Sequence, residues 1–175
     1  MTERLVIRQG TPADLAGIEA IYPLAFPDED LLPVVRSLLA EPNIAMSMVG
    51  EIDGSVVGNI IFTDCGVNEA TTGAALLAPL AVMPSHHGQR IGSALIRAGL
   101  ESLREQGLGS VFVLGDPAFY GRLGFKTETR VEPPYPLPAA WASAWQSQEL
   151  CDTTSLPKGK LWVPDPWRDP ALWSE

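Results

Sequence analysis

Two short stretches hold residue types at spacings that could do chemistry. The first is residues 85–95, SHHGQRIGSAL, set between the apolar run LLAPLAVMP and a helical pattern. A strand ending at Pro84, then a loop, then a helix beginning near Gln89 would aim main-chain N–H groups at whatever lies ahead of the helix. Those donors have no partner within the helix, and the macrodipole adds partial positive charge there. An anion such as a pyrophosphate is the natural guest, and Gly88 and Gly92 would let it approach the main chain where a Cβ would intrude. An ordinary capped loop is the competing reading. Two familiar phosphate motifs fail: no Lys follows either glycine as a P-loop needs, and GQRIGSA does not supply GxGxxG. What fits is Gln/Arg-x-x-Gly-x-Gly/Ala, as Gln89-Arg90-Ile91-Gly92-Ser93-Ala94. The second stretch is DPAFYGRLGF at 116–125, with Tyr120 at its centre. On residue type alone Tyr120 is a core aromatic with its hydroxyl at the surface, and Phe119 and Phe125 are core residues.

The elements that must position these residues follow from periodicity and punctuation. Residues 4–8 predict a strand. Thr11, Pro12 and Asp14 predict a helix start, and Leu15, Ile18 and Tyr22 form its apolar face. Pro23 and Pro27 break that helix, a second occupies 29–40, and Pro42 closes it. Residues 45–50 and 55–64 predict strands joined by a hairpin at Asp53-Gly54. Residues 74–83 are apolar on both faces, as in a central strand, with Pro79 implying a bulge or break. Ile91, Leu95, Ala98 and Leu103 mark a helix running to about Gln106, stopped by Gly107. Residues 110–115 predict a short buried strand, and 117–124 a short helix.

Beyond residue 126 the character changes, for all five tryptophans and half of the sixteen prolines lie there. Residues 145–150 and 160–163 predict two more strands, with the last residues extended along the surface. Five tryptophans bring too much apolar area for a loose tail, and they could serve the interface of a homodimer.

Length and composition bound the function. At 175 residues the chain is most simply one domain, able to bury roughly 70% of its unfolded surface. A net charge of −9 argues against a nucleic-acid partner. Cys65 and Cys151 lack metal-ligand spacing and imply two reduced thiols in a reducing cytoplasm rather than a disulfide scaffold. The opening MTERLVIRQG has no signal-peptide apolar stretch, and no run approaches the roughly 20 apolar residues that would cross a membrane. A cytoplasmic, soluble protein is the expectation.

Taken together, PLAVMPSHHGQRIGSALI and, about twenty residues on, VFVLGDPAFYGRLGF resemble the GNAT superfamily of acyl-CoA-dependent N-acetyltransferases. The resemblance covers residues 4–125 as the core of a single domain, with WQSQEL and KGKLWVP of the 126–175 tail similar to the last two strands of one subgroup. It implies an α/β (α+β) fold: a mixed, mostly antiparallel sheet flanked by helices, whose fourth and fifth strands (74–83 and 110–115) splay apart. The pantetheine arm of acetyl-CoA would enter the splay and pair with the fourth strand near Ala81, Val82 and Met83. Its pyrophosphate would rest on His87, Gly88 and the Gln89–Ala94 turn. Many relatives carry glycine where Arg90 stands; Arg90 would either meet a phosphate or point to solvent.

The implied chemistry is direct attack of an amine on the thioester. It requires a neutral amine, an oxyanion donor and a proton for the departing thiolate. Tyr120 takes the place of the tyrosine facing the sulfur, and the N–H near Val82 that of the oxyanion donor. Phe119 joins the coenzyme-binding set, as does Asp116, which also suits a cap of the short helix. No glutamate stands on the fourth strand, so Asp64, Glu69, Asp28 and Glu29 are all open as general base. His86 and His87 lack further ligands and imply no metal. A small-molecule or protein amine would be the acceptor. A catalytically idle acyl-CoA-binding sensor or scaffold is the alternative, and a nucleotide-binding protein of another fold the third reading. The acids of FPDED at 26–30 would either steer a cationic acceptor or cap the second helix.

Overall fold

A computed structural model describes residues 4–151 and 156–174. The fold is mixed α/β, a mostly antiparallel open sheet flanked by helices. Two compact units make it up: Met1–Phe62 with Ala78–Gly99, and Thr63–Leu77 with Leu100–Glu175.

In the first unit β1 (Leu5–Gln9) runs antiparallel to β2 (Ala45–Ile52), with Val6 opposite Glu51 and Arg8 opposite Val49. The turn into β3 (Ser55–Val67) places Asp53 at φ 51° and Gly54 at φ 81°. Two positive φ values in a two-residue loop are what a right-twisted hairpin demands. A 3-10 turn at Pro12–Asp14 opens α1 (Leu15–Ala25). There the Asp14 carboxylate accepts from the Thr11 N–H at 2.8 Å and from both Arg8 guanidinium nitrogens at 2.8 Å.

Pro23 does not break α1 as expected, for the helix continues to Ala25. The missing N–H removes one bond, while burial of Ile21 and Tyr22 and the Phe26 N–H on the Tyr22 carbonyl hold the last turn. The second helix, α2 (Leu32–Leu39), starts later than expected. Pro33 occupies its first turn, where a lost donor costs nothing. The Tyr22 hydroxyl donates to Asn59 Oδ1 at 2.7 Å, and Asn59 Nδ2 donates to Ser47 Oγ and the Met48 carbonyl. That chain satisfies the polar groups buried beneath α1.

The second unit holds the start of β4 (Ala74–Val82), which runs parallel to β5 (Ser110–Leu114), pairing Ala74 with Ser110, Ala75 with Val111 and Leu76 with Phe112. The ladder stops there, while β4 runs on as one strand to Val82. The strand itself is continuous through Pro79, while its ladder with β5 ends three residues earlier, so that ladder asks the proline for no N–H. All of β5 pairs antiparallel with a later strand at Trp145–Glu149, as expected. Two strands of two residues went unread: β6 (Lys126–Thr127) and β7 (Val131–Glu132). The Trp145–Glu149 strand is thus β8, which also carries β6, and β9 (Gly159–Trp162) pairs with β7 and with the end of β3.

The tail is not extended. It folds into 3-10 turns at Asp165–Trp167 and Pro170–Trp173 that bury both tryptophans. Trp167 Nε1 donates to Thr63 Oγ1, and Trp173 Nε1 to the Trp167 carbonyl. Trp145 stacks on Phe112 at 5.6 Å and meets Trp173 edge-on. These three tryptophans are buried and build this unit's core.

Candidate active site

The loop at 83–90 is tied down at several points. The Met83 N–H donates to the Val57 carbonyl, and a 3-10 turn follows at Pro84–His86. His87 Nε2 lies 2.9 Å from the Val82 carbonyl oxygen. A carbonyl can only accept, so that nitrogen carries the hydrogen and donates. His87 therefore anchors the loop to the last residue of β4. Among the described residues no three His, Cys, Asp or Glu side chains gather as a metal site needs.

Gly88 lies at φ 82° and Arg90 at φ 62°. Left-handed residues turn neighbouring N–H groups toward a common point, the geometry of anion-binding concavities. A Cβ built on Gly88 would meet nothing within 4 Å, so the outer side of this turn is open. The left-handed φ gives a physical reason for glycine where Arg90 stands, since a side chain there costs about 1–2 kcal/mol. The Arg90 side chain is exposed.

Helix α3 (Ile91–Glu105) begins two residues after Gln89, and its ladder opens with the Ala94 N–H on the Arg90 carbonyl at 3.1 Å. The N–H groups of Ile91, Gly92 and Ser93 precede that first bond and point ahead of the helix. Ile91 and Leu95 are buried over Gly58, which fixes the helix axis. Ala81 is buried, and Val82 and Met83 are half-buried.

The second constellation sits where β5 gives way to α4 (Pro117–Gly121). Asp116 caps that helix, its Oδ1 accepting from the Ala118 N–H at 2.9 Å. Tyr120 is 8% exposed, its ring edge-on to Phe119 at 5.0 Å and to Phe125 at 5.6 Å. Burial pushes the Tyr120 phenol up to about 12, so at neutral pH it is a protonated donor. A Cβ on Gly115 would stand 2.4 Å from Tyr120 Cε2. The bare glycine is therefore what lets the ring lie against the end of β5. Gln146, buried on β8, donates through Nε2 to the Gly115 carbonyl at 3.0 Å. Gly115 and Gln146 were missed in the sequence; the signal available was a glycine between a buried strand and an Asp-Pro helix start.

The general-base candidates separate. Asp64, half-buried on β3, has its carboxyl raised by burial. Glu69 is exposed. Asp28 and Glu29 line a cavity of 320 Å³ with Tyr22 and Phe26. None of the FPDED acids is the N-cap of α2, which is Leu31, and none stands in its first turn; Asp28, Glu29 and Asp30 directly precede the cap.

Residues 15–125 match the model of the Acetyltransferase (GNAT) family. The chain belongs to the GNAT acetyltransferase family. Consistent with that GNAT assignment, it is 32% identical to the uncharacterized N-acetyltransferase YjhQ of Escherichia coli K12 over 91% of this chain and 92% of that one. The crystal structure of the Escherichia coli GNAT family N-acetyltransferase YhbS in complex with CoA superposes with a TM-score of 0.86 at 29% identity, covering 97% of this chain and 94% of that one. A GNAT family acetyltransferase from Brucella melitensis in complex with acetyl-CoA gives 0.78 at 28% identity, over 95% and 99% of the two chains. This GNAT chain is an N-acetyltransferase.

Proposed function

We propose that the enzyme moves an acetyl group from acetyl-CoA to a primary amine by direct attack in a ternary complex, working in the cytoplasm. The observation that carries the reading is the turn ahead of α3. There, left-handed residues at 88 and 90 stand before three N–H groups outside the helical ladder, and space lies open above Gly88. These are the features a pyrophosphate needs. Support for the pantetheine arm comes from β4, whose pairing with β5 stops at Leu76, leaving its last residues to an added strand. YhbS crystallised with CoA and the Brucella protein with acetyl-CoA are the relatives whose folds this chain shares.

Acetyl-CoA supplies the acyl group as a thioester. In this reading Gly88, Gln89, Arg90 and the N–H groups of Ile91, Gly92 and Ser93 hold the pyrophosphate, with Ala94 in the first turn beside it and His87 keeping the loop in place. Ala81, Val82 and Met83 border the pantetheine, and the Val82 N–H is the oxyanion donor. Tyr120 holds a proton for the leaving sulfur. Its hydroxyl makes no hydrogen bond with another described residue, and burial keeps it protonated, which suits a donor and tells against the idle binding module. Phe119 steadies the Tyr120 ring, while Asp116 sets the start of α4. Asp64 is the base candidate whose carboxyl burial moves toward neutral pH.

The test is calorimetry of acetyl-CoA with the purified protein, followed by thiol release across a panel of primary amines. Saturable binding with amine-dependent thiol release is expected. Binding without release for any amine would leave the sensor reading, and no binding would remove the loop from the donor site.

A further inference from the structure

A cavity of 510 Å³ opens in the second unit, lined by Tyr135, Leu137, Pro138, Ala142 and Trp145, with Glu132 and Lys160 at its margin. Its size falls in the range of small-molecule sites. Its place relative to Tyr120 follows from strand alternation. The Gly115 N–H donates to the Ala144 carbonyl at 2.9 Å, so the β5–β8 ladder persists one residue past Leu114. A Cβ on Gly115 would run into the Tyr120 ring, so Gly115 faces the side on which Tyr120 lies. Leu114 and its cross-strand partner Trp145 must then face the other side. Tyr120 and the cavity thus flank the same end of the β5–β8 ladder from opposite faces.

We infer that this cavity holds the acceptor, and that the acceptor is a monoamine carried on an apolar, ring-sized body. The inference rests on Tyr120 being the proton donor. An amine attacks a face of the thioester carbonyl while the sulfur lies in its plane. Nucleophile and proton donor therefore approach from different directions, as cavity and tyrosine do here.

The lining sets the class. Prolines, alanines, Leu137 and the Trp145 ring form the wall, and the Trp145 N–H is already spent on the Val131 carbonyl. Such a wall rewards burial of carbon. Glu132 and Lys160 stand opposite each other in the β7–β9 register, so among the described residues the margin carries one charge of each sign. A polyamine would find no surplus of carboxylates there. An aminosugar would leave its hydroxyls facing hydrocarbon, since among the described lining residues Tyr135 alone supplies a side-chain hydroxyl.

The test compares phenethylamine, spermidine and glucosamine as acceptors for the wild type and for Ala142→Trp. Ala142 is exposed on a 3-10 helix at the rim, so the larger side chain fills the cavity without entering the core. Phenethylamine should show the highest kcat/KM. Ala142→Trp should raise its KM about tenfold or more, with acetyl-CoA affinity and melting temperature unchanged. Preference for spermidine or glucosamine, or an unmoved KM in the variant, overturns the inference. Calorimetry of phenethylamine with CoA-loaded protein reads the site without turnover. Binding to the wild type that weakens in Ala142→Trp supports the assignment, and no binding defeats it. Failure of acetyl-CoA itself to bind would instead strike the donor-site reading.

Discussion

Replacing Gly115 by alanine adds one methyl group at the point where β5 meets the Tyr120 ring. Its carbon would lie 2.4 Å from Tyr120 Cε2 and 2.9 Å from Cδ2, whereas carbon atoms in contact settle at about 3.5–4.0 Å. The ring must retreat by about 1 Å. It has little freedom to do so, because Phe119 and Phe125 hold it edge-on at 5.0 and 5.6 Å. Overpacking of this kind costs about 1–3 kcal/mol, or a fall in melting temperature of about 2–4 °C per kcal/mol in a chain of this size. The larger effect should be on catalysis, where a displacement of about 1 Å can cost about 10²-fold. Steady-state thiol release should show kcat reduced by about that factor, with acetyl-CoA affinity by calorimetry close to wild type. A Gly115→Ala variant with wild-type kcat and melting temperature would show that the position of the ring does not matter, and the reasoning would fail.

Gly92→Glu should abolish acetyl-CoA binding in calorimetry while circular dichroism stays native, since a carboxylate would stand where the pyrophosphate approaches α3. Unchanged affinity would take the loop out of the donor site. Asp14 is held at about 2, first by hydrogen bonds from Arg8, against a burial that alone would raise it. Its stabilising contribution is present above its ordinary 3.8 and lost as pH falls through about 2. Asp14→Asn should therefore cost about 2 kcal/mol at pH 7, a gap that urea melts should see shrink between pH 4 and pH 2. A constant gap would mean the loss is steric. Replacing Asp28 and Glu29 by Asn and Gln should raise the acceptor KM, more at low salt, if the carboxylates around the Tyr22–Phe26 cavity steer a cation. KM values that ignore salt would end that idea.

What the sequence disclosed was set by local chemistry. Asp53-Gly54 announced its hairpin because both residues tolerate positive φ, and Gly107, at φ 80°, ends α3 as its position implied. The loop before α3 and the helix bearing Tyr120 were legible for the same reason, since turn residues and caps act over a few positions. What escaped depends on partners distant in the chain. Trp167 is turned inward by Thr63, 104 residues earlier, and no periodicity encodes that bond. The strands β6 and β7 are two residues each and exist through their pairing with β8 and β9. Pro23 looked like a breaker because its lost hydrogen bond is local, whereas the burial of Ile21 and Tyr22 that outweighs it is tertiary. Gly115 announced its place between a buried strand and a helix start but not its role, which is an empty space shaped by Tyr120.

The most direct measurement of the central claim is Tyr120→Phe, with kcat followed from pH 6 to pH 10 and acetyl-CoA affinity measured alongside. Burial keeps the wild-type phenol protonated up to about pH 12, so the wild type should show no alkaline loss of kcat from Tyr120 in that range. The variant should keep its acetyl-CoA affinity and lose about 10²–10⁴-fold in kcat across the range. Equal kcat in the two proteins would contradict the account and return Tyr120 to the packing of α4.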